Sequence, residues 1–225
     1  MLKKGGGWLN LRIAHWFLAL SALALASLAC QTLLPGESEK QSGDIIFQDD
    51  FTDPGSGWNR VSSTTGDTEY DDGAYRIYVK EANTDIWSRP GQHLSDTIIE
   101  VEAFKVGGER DNRFGVICRA TGTDSFYTFI ISSDGYYGIG KVEEQNYELL
   151  GAEALMPSED IQKGSALNHI RAECIGETLT LYVNGHRLAE VRDSKLAAGD
   201  VGLIAGTYDV PGTDIRFDNF VVFKP

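Results

Sequence analysis

Residues 126–142 read FYTFIISSDGYYGIGKV, two alternating segments hinged on Asp134-Gly135. Alternation of apolar and polar residues marks a strand lying on a core. Asp-Gly between two such runs supplies the positive φ angles of a two-residue hairpin turn. Pairing outward from that turn sets Ser133 against Tyr136, Ile131 against Gly138 and Phe129 against Gly140. Tyr127, Phe129, Ile131, Gly138, Gly140 and Val142 then share one face, where aromatic rings fill the space that glycines leave. That face is expected to be core. The reverse carries Phe126, Thr128, Ile130, Ser132, Tyr137, Ile139 and Lys141, too polar for burial and too aromatic for plain solvent, so it is the candidate binding face.

The same period of two recurs on both sides of this hairpin. Runs such as AYRIYVK at 74, TIIEVEAFKV at 97, RFGVICRA at 113, NHIRAECIG at 168, ETLTLYVNG at 177, DVGLIAGTY at 200 and DIRFDNFVVF at 214 are separated by Gly, Asn, Asp or Pro. Many short strands at near-regular spacing predict an all-β antiparallel sandwich or barrel. Asn184-Gly185 predicts a second tight hairpin, with Leu179, Leu181 and Val183 on one face. Helical signal is confined to PSEDIQK at 157–163, which predicts a single helical turn. The chain has 225 residues and 25 glycines, which suits one turn-rich domain.

Residues 1–29 differ from the rest: Lys3, Lys4 and Arg12 precede an apolar run from Ile13 to Ala29, the pattern of a secretory signal. The run closes on Ala26-Ser27-Leu28-Ala29-Cys30, which resembles a bacterial lipobox, although Ser27 and Leu28 are not its commonest residues. On this reading Cys30 is lipidated and the protein is exported and held on the outer side of the cell membrane. Ile13 to Leu34 also has the length of an uncleaved membrane anchor. Residues 30–43 are rich in polar and turn-forming residues and read as a tether, which leaves 44–225 as the domain.

Removal of residues 1–29 leaves 17 basic against 33 acidic residues. Nucleic acid is excluded as a partner by that balance, since phosphate contact needs clustered Lys and Arg. Cys118 and Cys174 remain after Cys30, each in phase with inward-facing neighbours, and in an oxidising compartment they are expected to form a disulfide. The alternative is a pair of buried free thiols.

Catalytic constellations are sparse. No Gly-x-Ser-x-Gly elbow or phosphate-cradling glycine loop is present, and His15, His93, His169 and His186 form no metal-ligand spacing. Asp49 and Asp50 in the first strand and Asp218 in the last suggest a calcium clamp if those strands run side by side. Solvent-facing alternation accounts for the same acids. Glu100 and Glu102 share a strand face and form the one carboxyl pair worth testing for glycoside hydrolysis.

FQDDFTDPGSGW, DGAYRIYV, FGVICRA, FYTFIISSDGYYGIGKV, NHIRAECIGETLTLYVNG, DVGLIAGTY and FDNFVVF, in this order, resemble the concanavalin A-like lectin/glucanase superfamily. Laminin G-like and 3-keto-disaccharide hydrolase-like domains on exported lipoproteins are the nearest likeness. The resemblance implies a two-sheet antiparallel jelly-roll with a saccharide on its concave sheet. It does not extend to the glucanase carboxylates, because Lys105 stands where the second glutamate would fall.

A sugar site needs an aromatic platform flanked by fixed polar groups. Tyr137, Thr128 and Lys141 on the hairpin's reverse, Arg113 and Arg119 on the neighbouring strand, and Trp87 with Arg89 in DIWSR are the expected ligand residues. Three readings follow: a glycan-binding module with no required cofactor, a saccharide-active enzyme using Glu100 or Glu102, and a domain that contacts other envelope components.

Overall fold

Alternation governs the computed structural model, which describes residues 43–225. The expected signal segment, Cys30 and all of the tether but its last residue lie outside the described residues. Sixteen strands follow one another: β1 (Ile45–Asp49), β2 (Val61–Ser62), β3 (Gly66–Asp71), β4 (Ala74–Val79), β5 (Asp85–Ser88), β6 (Thr97–Gly107), β7 (Asn112–Thr121) and β8 (Ser125–Ile131). The second half comprises β9 (Tyr136–Glu143), β10 (Asn146–Leu149), β11 (Met156–Pro157), β12 (Asn168–Ile175), β13 (Thr178–Val183), β14 (His186–Arg192), β15 (Asp200–Thr207) and β16 (Thr213–Phe223).

They form two antiparallel sheets. One has nine strands, ordered β14-β13-β12-β6-β16-β4-β3-β2 with β1 also on β16; the other has seven, β10-β9-β8-β7-β15-β5 with β11 also on β9. The predicted sandwich is therefore the observed fold. Its core is built by the inward half of each alternation. Tyr75, Ile77 and Val79 of β4, Ile170 of β12 and Leu179, Leu181 and Val183 of β13 meet Phe114 and Val116 of β7 and Tyr127, Phe129 and Ile131 of β8 in one buried cluster. Each such side chain contributes about 1.5–3 kcal/mol relative to exposure. FQDDFTDPGSGW and FDNFVVF join at one end of this core, where Trp58 lies 5.3 Å from Phe51 and 5.0 Å from Phe220 between ring centroids.

Cys118 of β7 and Cys174 of β12 are joined as a disulfide that ties the two sheets together. Asn184 and Gly185 both take positive φ, 52° and 85°, as the Asn-Gly turn requires.

Two expectations need correction. The β8–β9 hairpin does not close on two residues: Ser132 N–H donates to Tyr136 O and Ile131 pairs with Tyr137, so Ser133, Asp134 and Gly135 all lie in the loop. Asn112 explains the extra residue, because its side chain accepts the Ser133 N–H at 3.0 Å and donates to Ser133 Oγ at 3.1 Å. Gly135 alone takes positive φ there, the pattern of a three-residue loop. A one-residue slip moves every side chain of the second strand to the other face. Tyr127, Phe129 and Ile131 keep the predicted inward direction, but Tyr137 and Ile139 now join them, and Gly138, Gly140 and Val142 face out with Thr128.

Residues 157–163 form no helical turn: Pro157 ends β11, and a turn and a bend at 159–161 follow it. Their surroundings claim the backbone: Ser158 N–H donates to Gly135 O, the Asn168 side chain accepts from Gln162 N–H and donates to Gln162 O, and Ile161 is buried in the core. These partners replace the bonds that a helix would make with itself.

Candidate functional site

The outer face of the seven-stranded sheet is where chemistry collects, and glycines determine its shape. Gly138 and Gly140 on β9 and Gly202 and Gly206 on β15 leave lanes without side chains, which neighbours cross. Glycine inside a strand often marks such a close approach. A methyl group at Gly140 would meet the Tyr147 ring at 2.6 Å, and one at Gly138 would meet Leu155 and Leu149 at 2.6 and 2.8 Å. The side chains of edge strand β10, which pairs with β9, and of Leu155 beyond it therefore lie across the glycines of β9.

Gly206 performs the equivalent task between β5 and β7. It pairs with Asp85 on one side and Arg113 on the other, and without a Cβ in the way Arg113 Nε donates to Asp85 Oδ1 at 2.5 Å across the intervening strand. The Arg113 guanidinium also lies 4.5 Å from the centre of the Tyr208 ring. Such a stacked, paired guanidinium is held in place and presents a rigid edge.

Beside this pair is a cavity of about 410 Å³ lined by Asp85, Arg113, Ile130, Tyr147, Leu149, Tyr208 and the segment Glu153, Ala154 and Leu155. Thr128 lies behind Tyr147, fully buried, with no hydrogen-bond partner for its Oγ1. The Tyr147 ring is half exposed while its hydroxyl end is enclosed near Thr128, Tyr208, Arg113 and Asp85; burial of that end pushes the phenol up to about 12. At ordinary pH it is a neutral donor and acceptor. The sheet beyond the cavity is apolar, with Ile117, Phe126, Ile130 and Ile204 packed together and the Trp87 ring 5.2 Å from Phe126.

The expected ligand residues divide. Trp87, Arg113 and Thr128 occupy this outer face, and Arg89 joins them, its side chain lying over Gly202. Tyr137 and Lys141 do not, because the hairpin slip turns them to the other side. Tyr137 packs against the core, and Lys141 pairs with Asp193 at 3.0 Å beside Tyr127, whose hydroxyl donates to the same carboxylate. Arg119 is also misplaced by alternation. It sits at a bulge with φ 52°, is 2% exposed, and donates to Ser95 O, Leu196 O and the Asp96 carboxylate, so it fastens loops instead of facing a groove. Tyr147, Tyr208 and Asp85 escaped the sequence reading. The spaced glycines of GIG at 138 and GLIAG at 202 were the available signal.

The acidic candidates lie elsewhere. β1 and β16 do run side by side, and Asp218 feels Asp50: burial first, then Glu102 and Asp50, raise its carboxyl above the ordinary range. Among the described residues no three His, Cys, Asp or Glu side chains are grouped to hold a metal ion. Glu100 is on the outer face of the nine-stranded sheet, where His169 and Arg171 lower its pKa to about 2. It bonds Arg171 at 2.7 Å, while Glu102 accepts from Asn219 at 3.0 Å. Glu100, so held, carries no proton to donate at neutral pH.

No protein-family model matches the chain, and no curated protein matches it in sequence. Solved structures do match its fold. The carbohydrate-binding module CBM66 from Bacillus subtilis superposes with a TM-score of 0.62 at 16% identity, over 75% of this chain and 96% of that one. A Bacillus subtilis protein of unknown function with a galectin-like fold gives 0.61 at 12% identity, over 81% and 97%. The GH43 protein BlXynB from Bacillus licheniformis gives 0.57 at 15% identity, over 80% of this chain and 39% of that one. At these identities the likeness establishes the architecture, an antiparallel two-sheet sandwich, in coarse agreement with the concanavalin A-like resemblance.

Proposed function

We propose that the domain is a glycan-binding module and that its site is the outer face of the seven-stranded sheet. One observation carries this reading: a cavity of about 410 Å³ brings two tyrosines, a locked Arg113–Asp85 pair and exposed Glu153 together. Tyrosine rings suit the apolar face of a sugar, and fixed charged groups form strong hydrogen bonds with hydroxyls. The fold likeness to a module whose title names carbohydrate binding agrees with it.

The same reading places the domain outside the cell, held by lipid on Cys30 through the tether at 30–43. Metabolic labelling with a palmitate analogue tests that part, and retention of label in a Cys30→Ala chain would end it. Calorimetric titration with a panel of oligosaccharides tests the site. Binding that Tyr147→Ala and Arg113→Ala both weaken by about tenfold or more is expected; binding untouched by both would remove the site from this face.

A further inference from the structure

The cavity described above does not end at its own rim. A second one, of about 390 Å³, adjoins it and is lined by Asp111, Ser132, Asp134 and Tyr136. Tyr208, Ala154 and Leu155 line both, so the two spaces share a wall and not merely a neighbourhood. Each falls in the size range of small-ligand pockets. The second has the same character as the first: an exposed aromatic, Tyr136, beside polar acceptors, with Asp134 already held by Ser132 Oγ.

Their charge is one-sided. Among the described residues Arg113 is the only cationic side chain lining either space, and Asp85 neutralises it. Glu153, Asp111 and Asp134 have no cationic partner among the described residues. An acidic ligand entering either cavity would lose hydration and meet carboxylates with no lining cation but the paired Arg113, and the chain's net charge of −13 repels it at longer range. Hydroxyl groups, in contrast, donate well to ionised carboxylates.

Building on the glycan-binding reading, we infer that the two cavities are adjacent subsites of one groove for an uncharged saccharide chain of at least two units, spanning Tyr208, and that acidic glycans are rejected.

The test is calorimetry of the full chain at low salt with xylo-, cello-, galacto- and fructo-oligosaccharides from one unit to four, and with oligogalacturonates of the same lengths. Affinity for one of the neutral series is expected to rise by about tenfold or more between one unit and three, with the acidic series weaker by a similar factor. Tyr136→Ala, whose side chain lines only the second cavity, is expected to flatten the rise. Affinity independent of length, or an acidic series bound as tightly as the neutral one, overturns the inference while leaving glycan binding in place. Failure of every oligosaccharide to bind removes both.

Discussion

Asp85 and Arg113 belong to strands that are not neighbours, yet their side chains meet at 2.5 Å because Gly206 on the strand between them has nothing to interpose. A methyl group at Gly206 would lie 1.9 Å from Asp85 Oδ1 and 2.8 Å from Arg113 Nε. Gly206→Ala is therefore expected to separate the pair and to cost about 1–3 kcal/mol, since each partner is left partly buried and unpaired. Urea unfolding checks the stability and oligosaccharide titration the site; an unchanged midpoint would mean that the pair reforms around the methyl group.

The Tyr147 ring lies over Gly140 in the same manner. Gly140→Val should lift the ring from Thr128 and reduce oligosaccharide affinity as much as Tyr147→Ala does, about tenfold or more. Circular dichroism separates this from unfolding. If Gly140→Val binds like the parent, the position of Tyr147 is not what the site requires.

Cys118 and Cys174 are 56 residues apart in sequence. In the chain-entropy account a loop of this length is worth about 4 kcal/mol. The Cys118→Ala, Cys174→Ala chain should unfold at a markedly lower denaturant concentration, and the parent should shift the same way in reducing agent. A shift seen in only one of these experiments would contradict the bond as the cause.

Glu100 gives an acid-side prediction whose sign is set by its neighbours. Its folded pKa, lowered to about 2 from the ordinary 4.5 by His169 and then Arg171, means that its stabilising contribution is complete above pH 4.5 and disappears as pH falls through 2. The contribution is on the order of 2 kcal/mol. Glu100→Gln should be less stable than the parent at pH 6, and the gap should narrow steadily toward pH 2. A gap independent of pH would show that packing, and not charge, is what the substitution removes.

Asn112 decides the hairpin register from a distance. Asn112→Ala removes both side-chain bonds to Ser133 and leaves the buried Ser133 N–H unpaired. A loss of about 1–3 kcal/mol is expected, together with faster amide exchange at Ser133 than in the parent. Unchanged exchange would show that the three-residue loop forms without this clamp.

That clamp also explains how far the sequence could be read. The β8 phase was legible because Tyr127, Phe129 and Ile131 are large and apolar at every second position, and the two cysteines were legible because each keeps step with core neighbours. In YYGIGKV both faces carry similar apolar weight, so the direction of β9 rested on loop length, which Asn112 sets through tertiary contact. Arg113 and Thr128 could be placed because the alternation around them is unbroken. Tyr147 and Tyr208 were not singled out: one follows a turn in which Glu144 and Gln145 both take positive φ, and the other closes the DVGLIAGTY run just beyond the end of β15, where glycines leave the outward phase almost without side chains. Arg119 shows the opposite failure, an alternating strand interrupted by a bulge that redirects one side chain.

The pairing of β1 with β16 has a geometrical consequence. Ile45 lies opposite Phe223, and Lys224 N–H bonds Asp44 O, so the domain receives and releases its chain at one pole. Phe223 also marks the starting end of β6, whereas Asp111, the Asp134 turn and Tyr208 gather where β6 finishes and β7 begins. The chain therefore enters and leaves the domain at the end opposite the Asp134 turn and Tyr208, far from the rim that those residues form.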